Sequence, residues 1–239
     1  MKIDKMKGCG AMSLFTISDP HLSLGCNKPM DIFRGWDNYV GRLEENWRRL
    51  VSDDDTVVMP GDISWGMSLK ESYEDLKFIH SLPGKKIISK GNHDYWWTTM
   101  KKMNDFIAVN GFSTISILHN NHYRYERYGI CGSRGWIAEN GEPDDAKVLA
   151  REAARLETSI CSAEGEGLEP IVFLHYPPIY AATYNYSILD VLHRHDIKNV
   201  YYGHIHGSSQ SYAICGERDG IMFRLVSCDY VHFEPVKIL

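Results

Sequence analysis

Five times along this chain, a short apolar run with the character of a buried strand ends at polar residues able to bind a cation. Ser13-Leu14-Phe15-Thr16-Ile17 leads to Asp19 and His21, and Thr56-Val57-Val58-Met59 leads through Pro60-Gly61 to Asp62. Lys86-Ile87-Ile88-Ser89 leads to Gly91-Asn92-His93-Asp94, Ile171-Val172-Phe173-Leu174 to His175, and Asn199-Val200-Tyr201-Tyr202 to Gly203-His204-Ile205-His206. Apolar runs this short, bounded by turn formers, read as strands covered on both faces. Residues at the carboxyl ends of such strands can converge on one crevice even when far apart in sequence.

The intervening segments read as helices. Val40, Leu43, Trp47, Leu50 and Val51 recur at helical spacing within Trp36 to Val51, and Ser68-x-x-Glu71 has the form of a capping box opening a helix through Ser81. Leu69, Tyr73, Leu76 and Ile79 would face inward from that helix. Met100, Met103 and Ile107 mark a further helix closing at Gly111. Pro143 is expected in the first turn of another, with Ala146, Leu149, Ala150, Ala153, Leu156 and Ile160 as its inner face. Phe112 to Leu118, Tyr123 to Tyr128 and Gly129 to Ser133 read as strands around a turn at Asn120-Asn121, and Ile221 to Ser227 and Val231 to Ile238 as closing strands. Strands alternate with helices early and dominate late, which predicts an α/β layered architecture. We expect one domain over residues 13–239, preceded by an extension over residues 1–12.

Charge and cysteine usage narrow the function classes. A formal charge of −5 makes an extended nucleic-acid-binding face less favoured. The six cysteines form no C-x-x-C pair, so free thiols in a reducing cytoplasm are expected. No stretch reads as a signal peptide or approaches the length of a membrane span, so membrane association is not expected. His80, His119, His122, His193, His195 and His232 lie outside the strand-end pattern and read as surface or core groups.

Carboxylate oxygens, an amide oxygen and imidazole nitrogens together suit a divalent transition metal. Asp19, His21, Asp62, Asn92, His175, His204 and His206 supply that set. In an extended chain, the alternate-residue spacing of Asp19 with His21 and of His204 with His206 sends both side chains of each pair to one side. Pro20 is expected to restrict Asp19 to extended conformations.

In order and spacing, D-x-H, G-D, G-N-H-D, a lone histidine after an apolar strand, and G-H-x-H resemble the signature of calcineurin-like metallophosphoesterases. Ile17-Ser18-Asp19-Pro20-His21-Leu22-Ser23 and Gly91-Asn92-His93-Asp94-Tyr95-Trp96-Trp97 further resemble an uncharacterised bacterial phosphohydrolase branch. The resemblance implies a four-layer α/β/β/α sandwich with a dinuclear centre at the sheet edges. It assigns Asp19, His21 and His206 to one ion and Asn92, His175 and His204 to the other, with Asp62 bridging. It implies hydrolysis of a phosphomonoester or phosphodiester by a metal-bound hydroxide, with manganese the favoured ion and iron or zinc as alternatives.

His93 is the expected general acid, oriented by Asp94. Arg134 and Trp136 are weaker candidates for phosphate and apolar substrate contacts, packing being the favoured role for both. Trp65, Trp96 and Trp97 flank the motifs and are candidates to line the cleft. A small phosphodiester or nucleotide-like substrate is favoured over a protein substrate. The rival readings are a metal-dependent nuclease and a non-catalytic metal-dependent binding module.

Overall fold

The computed structural model describes residues 12–137 and 145–239. Residues 1–11 and Pro143 therefore lie outside the described residues. The first half of the chain runs β1 (Leu14–Thr16), α1 (Tyr39–Leu50), β2 (Thr56–Met59), α2 (Tyr73–Ser81), β3 (Lys85–Ile88), α3 (Met100–Val109) and β4 (Ile115–Ile117). The second continues with β5 (Tyr123–Tyr125), β6 (Tyr128–Ser133), α4 (Asp145–Glu164), β7 (Glu169–Leu174), β8 (Ile179–Tyr180), β9 (Thr183–Tyr184) and α5 (Tyr186–Arg194). It closes with β10 (Asn199–Tyr202), a 3-10 turn (Gly207–Tyr212), β11 (Gly216–Arg218), β12 (Ile221–Leu225) and β13 (Val236–Lys237).

Two sheets result, with strand orders β13-β1-β2-β3-β4 and β11-β12-β10-β7-β6-β5, besides the small β8-β9 hairpin. In the first sheet β1 to β4 are parallel; in the second β6, β7, β10 and β12 are parallel. The apolar runs sort by alternation into three cores. Val57 and Met59 of β2 pack under Leu43 and Trp47 of α1, Leu76 and Ile79 of α2, and Met103 of α3. Val58 between them faces the other way, into a core shared with Ile171 and Phe173 of β7 and Tyr201 of β10. Val172, Leu174, Val200 and Tyr202 then point outward against Leu156 and Ile160 of α4 and Ile188 and Leu192 of α5. The layers are thus helix, sheet, sheet, helix, because strands apolar on both faces need cover on both.

Local expectations met corrections. One capping-box bond forms, Glu71 N donating to Ser68 Oγ (3.3 Å), while Glu71 Oε2 accepts from Met67 N (2.9 Å); the two close a separate turn, and α2 begins only at Tyr73. Ala146 and Ala150 of α4 are exposed; the buried face is Glu152, Ala153, Leu156, Ser159, Ile160 and Ala163. Alanine fits either face of a helix, so its spacing carries little direction. Asn120-Asn121 is no hairpin turn but the crossing from β4 in one sheet to β5 in the other. Val231 to Phe233 form turns, and the last strand is only Val236–Lys237.

A candidate metal centre at the strand ends

The parallel strands of both sheets deliver their carboxyl ends to one edge. From the first sheet come Asp19 after β1, Asp62 after β2 and Asn92 after β3; from the second come His175 after β7 and His204 and His206 after β10. Atoms of Asp19, His21 and His206 lie within 4.8 Å of one another, as do those of Asp19, Asp62 and His175. Asn92 Oδ1 is 2.6 Å from His175 Nε2 and 3.0 Å from His204 Nδ1. Asp19 belongs to both groups, and Asp62 Oδ2 reaches from the second towards the first, 3.6 Å from His21 Nε2 and 3.5 Å from His175 Nε2. All seven expected donors are therefore brought together.

The backbone achieves this differently from the extended geometry expected of the D-x-H and H-x-H pairs. Asp19 (φ 58°), His21 (φ 45°), Asp62 (φ 51°) and His204 (φ 72°) all adopt the left-handed region. Side chains other than glycine enter it at a cost of order 1–3 kcal/mol each and stay only where the surroundings over-determine them. Here Asp19 N donates to Gly61 O (3.1 Å), His21 N to Asp62 O (3.0 Å) and Leu22 N to Ile63 O (3.0 Å), so the two strand-end loops lock each other. His204 N donates to the Asp19 carboxylate at 3.0 Å. Strained residues of this kind concentrate at functional sites.

The glycines of the motifs make room. A Cβ on Gly91 would lie 2.0 Å from Asp62 Oδ1, and one on Gly203 would lie 2.2 Å from Asp19 Oδ2. Any side chain at either position would displace a carboxylate of the cluster.

The electrostatics describe a cation site. Asp19 is 0% and Asp62 1% exposed, and among the described ion pairs both meet only histidines, never a lysine or arginine. Burial, then the charges of Asp19 and Asp94, push the Asp62 carboxyl well above the usual carboxylate range. Burial also works to raise Asp19, but the His206 contact and the fields of His175, His206 and His21 outweigh it and hold Asp19 below that range. Burial pushes the His175 imidazole down to about 3. Burial likewise opposes charge on His206, yet its contacts with Asp19 and Asp229 raise it to about 10.

Pro60 O can only accept, so His175 Nδ1, 3.1 Å away, carries the ring proton. In the neutral ring Nε2 then presents a lone pair to Asn92 Oδ1, another acceptor, at 2.6 Å. Among the described residues, buried His21 Nδ1 has no hydrogen-bond partner. Facing acceptors, paired buried carboxylates and a donor set of imidazole, carboxylate and amide oxygen fit divalent cations.

Other expected residues part company. The Asp94 carboxylate does not orient the His93 ring. Its Oδ2 accepts from Asp62 N (2.9 Å) and Gly91 N (2.7 Å), and its Oδ1 from Ile63 N (2.9 Å), Ser64 N (3.3 Å) and Trp96 Nε1 (2.9 Å). These five donors use the acceptor capacity of the carboxylate, which ties the second motif to the third. His93 donates its own backbone N–H to Asp62 Oδ1 at 2.8 Å, and its ring lies 4.5 Å from Trp65 and 5.6 Å from His21. Trp96 is buried beneath the site; Trp65, stacked on His21 at 5.0 Å, lines it.

Arg134 and Trp136 are not brought to the cluster. Arg134 pairs with Glu152 (3.7 Å), lies 4.7 Å over the Trp136 ring, and lines a separate cavity that contains none of the seven donors. Trp136 donates to Asp145 Oδ1 (2.8 Å) and packs on Tyr176, which in turn lies 4.1 Å from His204. Both are packing residues in this structure.

Asp229 was missed. Its Oδ1 is 2.8 Å from His206 Nδ1 and its Oδ2 accepts from Gly207 N (3.0 Å), so it fixes the ring with Nε2 facing His21 and Asp19. It follows β12 as the other donors follow their strands, and that placement was the available signal. Ser227 Oγ, from the same strand end, donates to Asp19 Oδ2 at 3.0 Å.

The family model described as calcineurin-like phosphoesterase matches residues 12–208. No curated protein matches. Among solved structures, the protein TT1561 of Thermus thermophilus is similar with a TM-score of 0.53 at 13% identity, over 89% of this chain and 87% of that one. The protein of unknown function AQ665 from Aquifex aeolicus aligns with a TM-score of 0.49 at 16% identity over 95% of each chain.

Proposed function

The chain belongs to the calcineurin-like phosphoesterase family, and from that premise we propose that it is a dinuclear metal-dependent enzyme hydrolysing a small phosphate ester, with a diester favoured. The observation that carries the reading is the position of Asp62, whose Oδ2 reaches from one group of donors towards the other, 3.6 Å from His21 and 3.5 Å from His175. Asp19, His21 and His206 would hold one ion, Asn92, His175 and His204 the other, and Asp62 both. Two ions so held supply positive charge to the phosphoryl oxygens and acidify water in the site.

The remaining roles belong to the protein. His175 is held by Pro60 O and His206 by Asp229, so each ring keeps Nε2 directed into the cluster. Trp65 and Trp36 lie against His21 and His206 and exclude water from one side. His93 stands at the rim as the acid for the departing alcohol. Burial and the neighbouring His204 hold its imidazole below the usual value, so the acid role draws on the substrate's negative charge to raise it.

The test is a panel of phosphomonoesters and phosphodiesters assayed with Mn²⁺, Fe²⁺ and Zn²⁺, alongside elemental analysis of the protein. Two ions per chain and metal-dependent turnover are expected, and Asp62→Asn should lose both ions and activity, whereas His122→Asn, remote from the cluster, should lose neither. One ion at saturation, or equal defects in the two variants, refutes the dinuclear assignment.

A further inference from the structure

Two clefts border the donor cluster and share His206, one of about 440 Å³ and the other of about 460 Å³. Their walls differ in kind. The second is lined by Ile137 and Ile205 together with hydroxyl-bearing Tyr180, Thr183 and Ser209, and has no tryptophan or phenylalanine in its lining. The first is walled by Met30, Phe33, Trp36 and Trp65, with Arg34 at its side, and its floor is His21, His93 and His206. Most of its wall comes from the sixteen-residue irregular segment between the strand-end loop and α1, residues 23–38. Loops that long are usually functional.

We propose that the aromatic cleft is the leaving-group subsite and that it takes a planar aromatic substituent carried on the alcohol of the phosphate ester. This rests on the phosphoesterase reading above and extends it to substrate class and direction. Three observations carry it. Phe33 is 53% exposed although its neighbours Trp36 and Met30 are buried, so an apolar face is left uncovered on the cleft side of the loop. The Trp65 indole, stacked on His21 and 4.5 Å from the His93 ring, adds aromatic wall to the cleft at the edge of the donors, and aromatic walls favour rings through edge-to-face contact. Lys28 Nζ sits 4.8 Å over that indole, which with Arg34 makes the mouth cationic and suited to an anionic ligand.

Direction follows from His93, which lines this cleft and is absent from the lining of the other. Hydrolysis breaks the P–O bond to the ring-bearing alcohol and forms one P–O bond from water. The His93 imidazole gives its proton to the departing oxygen, and the proton lost by water returns to solvent. The other ester substituent, or a free phosphate oxygen, stays on the Tyr180 and Thr183 side.

Two measurements test this on the metal-loaded full chain. The first is binding of 1-naphthylmethylphosphonate, cyclohexylmethylphosphonate and methylphosphonate, followed by quenching of tryptophan fluorescence. The naphthyl probe should bind best, and Phe33→Ala should weaken it by about tenfold, the size of one aromatic contact, while changing methylphosphonate less than about twofold. Equal affinity for the naphthyl and cyclohexyl probes, or equal effects of Phe33→Ala on all three, overturns the aromatic assignment. The second is product analysis with ethyl 1-naphthylmethyl phosphate, whose two alcohols leave with similar reluctance. Naphthylmethanol and ethyl phosphate are expected; ethanol and naphthylmethyl phosphate overturn the direction. Aromatic-selective binding without any turnover would sink the phosphoesterase reading while supporting the subsite.

Discussion

Replacing Asp94 with Asn separates a structural clamp from a catalytic residue. In the wild type, five donors converge on one buried carboxylate at 2.7–3.3 Å, four of them backbone N–H groups of residues 62, 63, 64 and 91. An amide can copy only one of the two oxygens. If its oxygen takes the Oδ1 position, the NH₂ faces Asp62 N and Gly91 N, two donors that then have no acceptor and no solvent. Hydrogen bonds to a charged acceptor are worth about 1.5–3 kcal/mol each, so the loss is about 3–6 kcal/mol. The reverse orientation strands three donors and costs more. Against a total stability of about 5–15 kcal/mol for a native protein, this leaves a marginal fold. Urea denaturation of the two proteins, followed by tryptophan fluorescence and far-ultraviolet dichroism, reads the difference. A variant within about 1 kcal/mol of wild type whose turnover nevertheless falls a hundredfold would refute the clamp and return Asp94 to the chemistry.

Three further perturbations act elsewhere. His93→Asn should keep both ions yet lose about 10²–10⁴-fold in rate on an alkyl ester and far less on an aryl ester, whose leaving group needs little protonation; equal losses on both refute the acid role. Asp229→Ala releases His206 Nδ1 and should weaken binding of one ion by about 10–100-fold, read by competition with a fluorescent chelator, and unchanged affinity refutes the orienting role. Asp75, buried and raised to about 6 chiefly by desolvation, sits above its unfolded value of 3.8, so the folded state binds the extra proton and stability falls as pH rises from about 4 to about 6. That component is worth about 3 kcal/mol and should vanish in Asp75→Asn; identical pH–stability slopes in the two proteins refute it.

What could be read without coordinates divides along the range of the forces involved. The strands β2, β3, β7 and β10 are legible because both their faces are buried, and short runs of Val, Ile, Phe, Tyr and Leu or Met say so directly. Their polar sequels converge because parallel strands end at one edge. The left-handed backbone at Asp19, His21, Asp62 and His204 is not legible, because it is imposed by hydrogen bonds between loops far apart in the chain, such as Asp19 N to Gly61 O. Asp229 went unseen because its strand lacks a motif; only the placement after an apolar run marks it. Asp94 was misassigned because a carboxylate beside an imidazole in sequence suggests a dyad, whereas five distant or backbone donors claim it in the fold. Arg134 takes the packing role favoured for it, but its partner Glu152, a buried carboxylate on a helix, is not legible because that position reads from sequence as solvated.

The donor cluster straddles the seam between the sheets. Asp19, Asp62 and Asn92 ride on one slab and His175, His204 and His206 on the other, with Val58, Phe173 and Tyr201 as the mortar between. Neither half of the chain holds all seven donors, so a fragment ending before β5 would lack His175, His204 and His206. Affinity for cations therefore becomes a gauge of how well the slabs are seated. Trimming Phe173, buried between the sheets and distant in role from any chemistry, should register as ions that leave faster, and saturating ions should in turn raise the melting temperature of the whole by mass action. Damage at the seam would then be diagnosed first as a loss of metal and only later as a loss of fold.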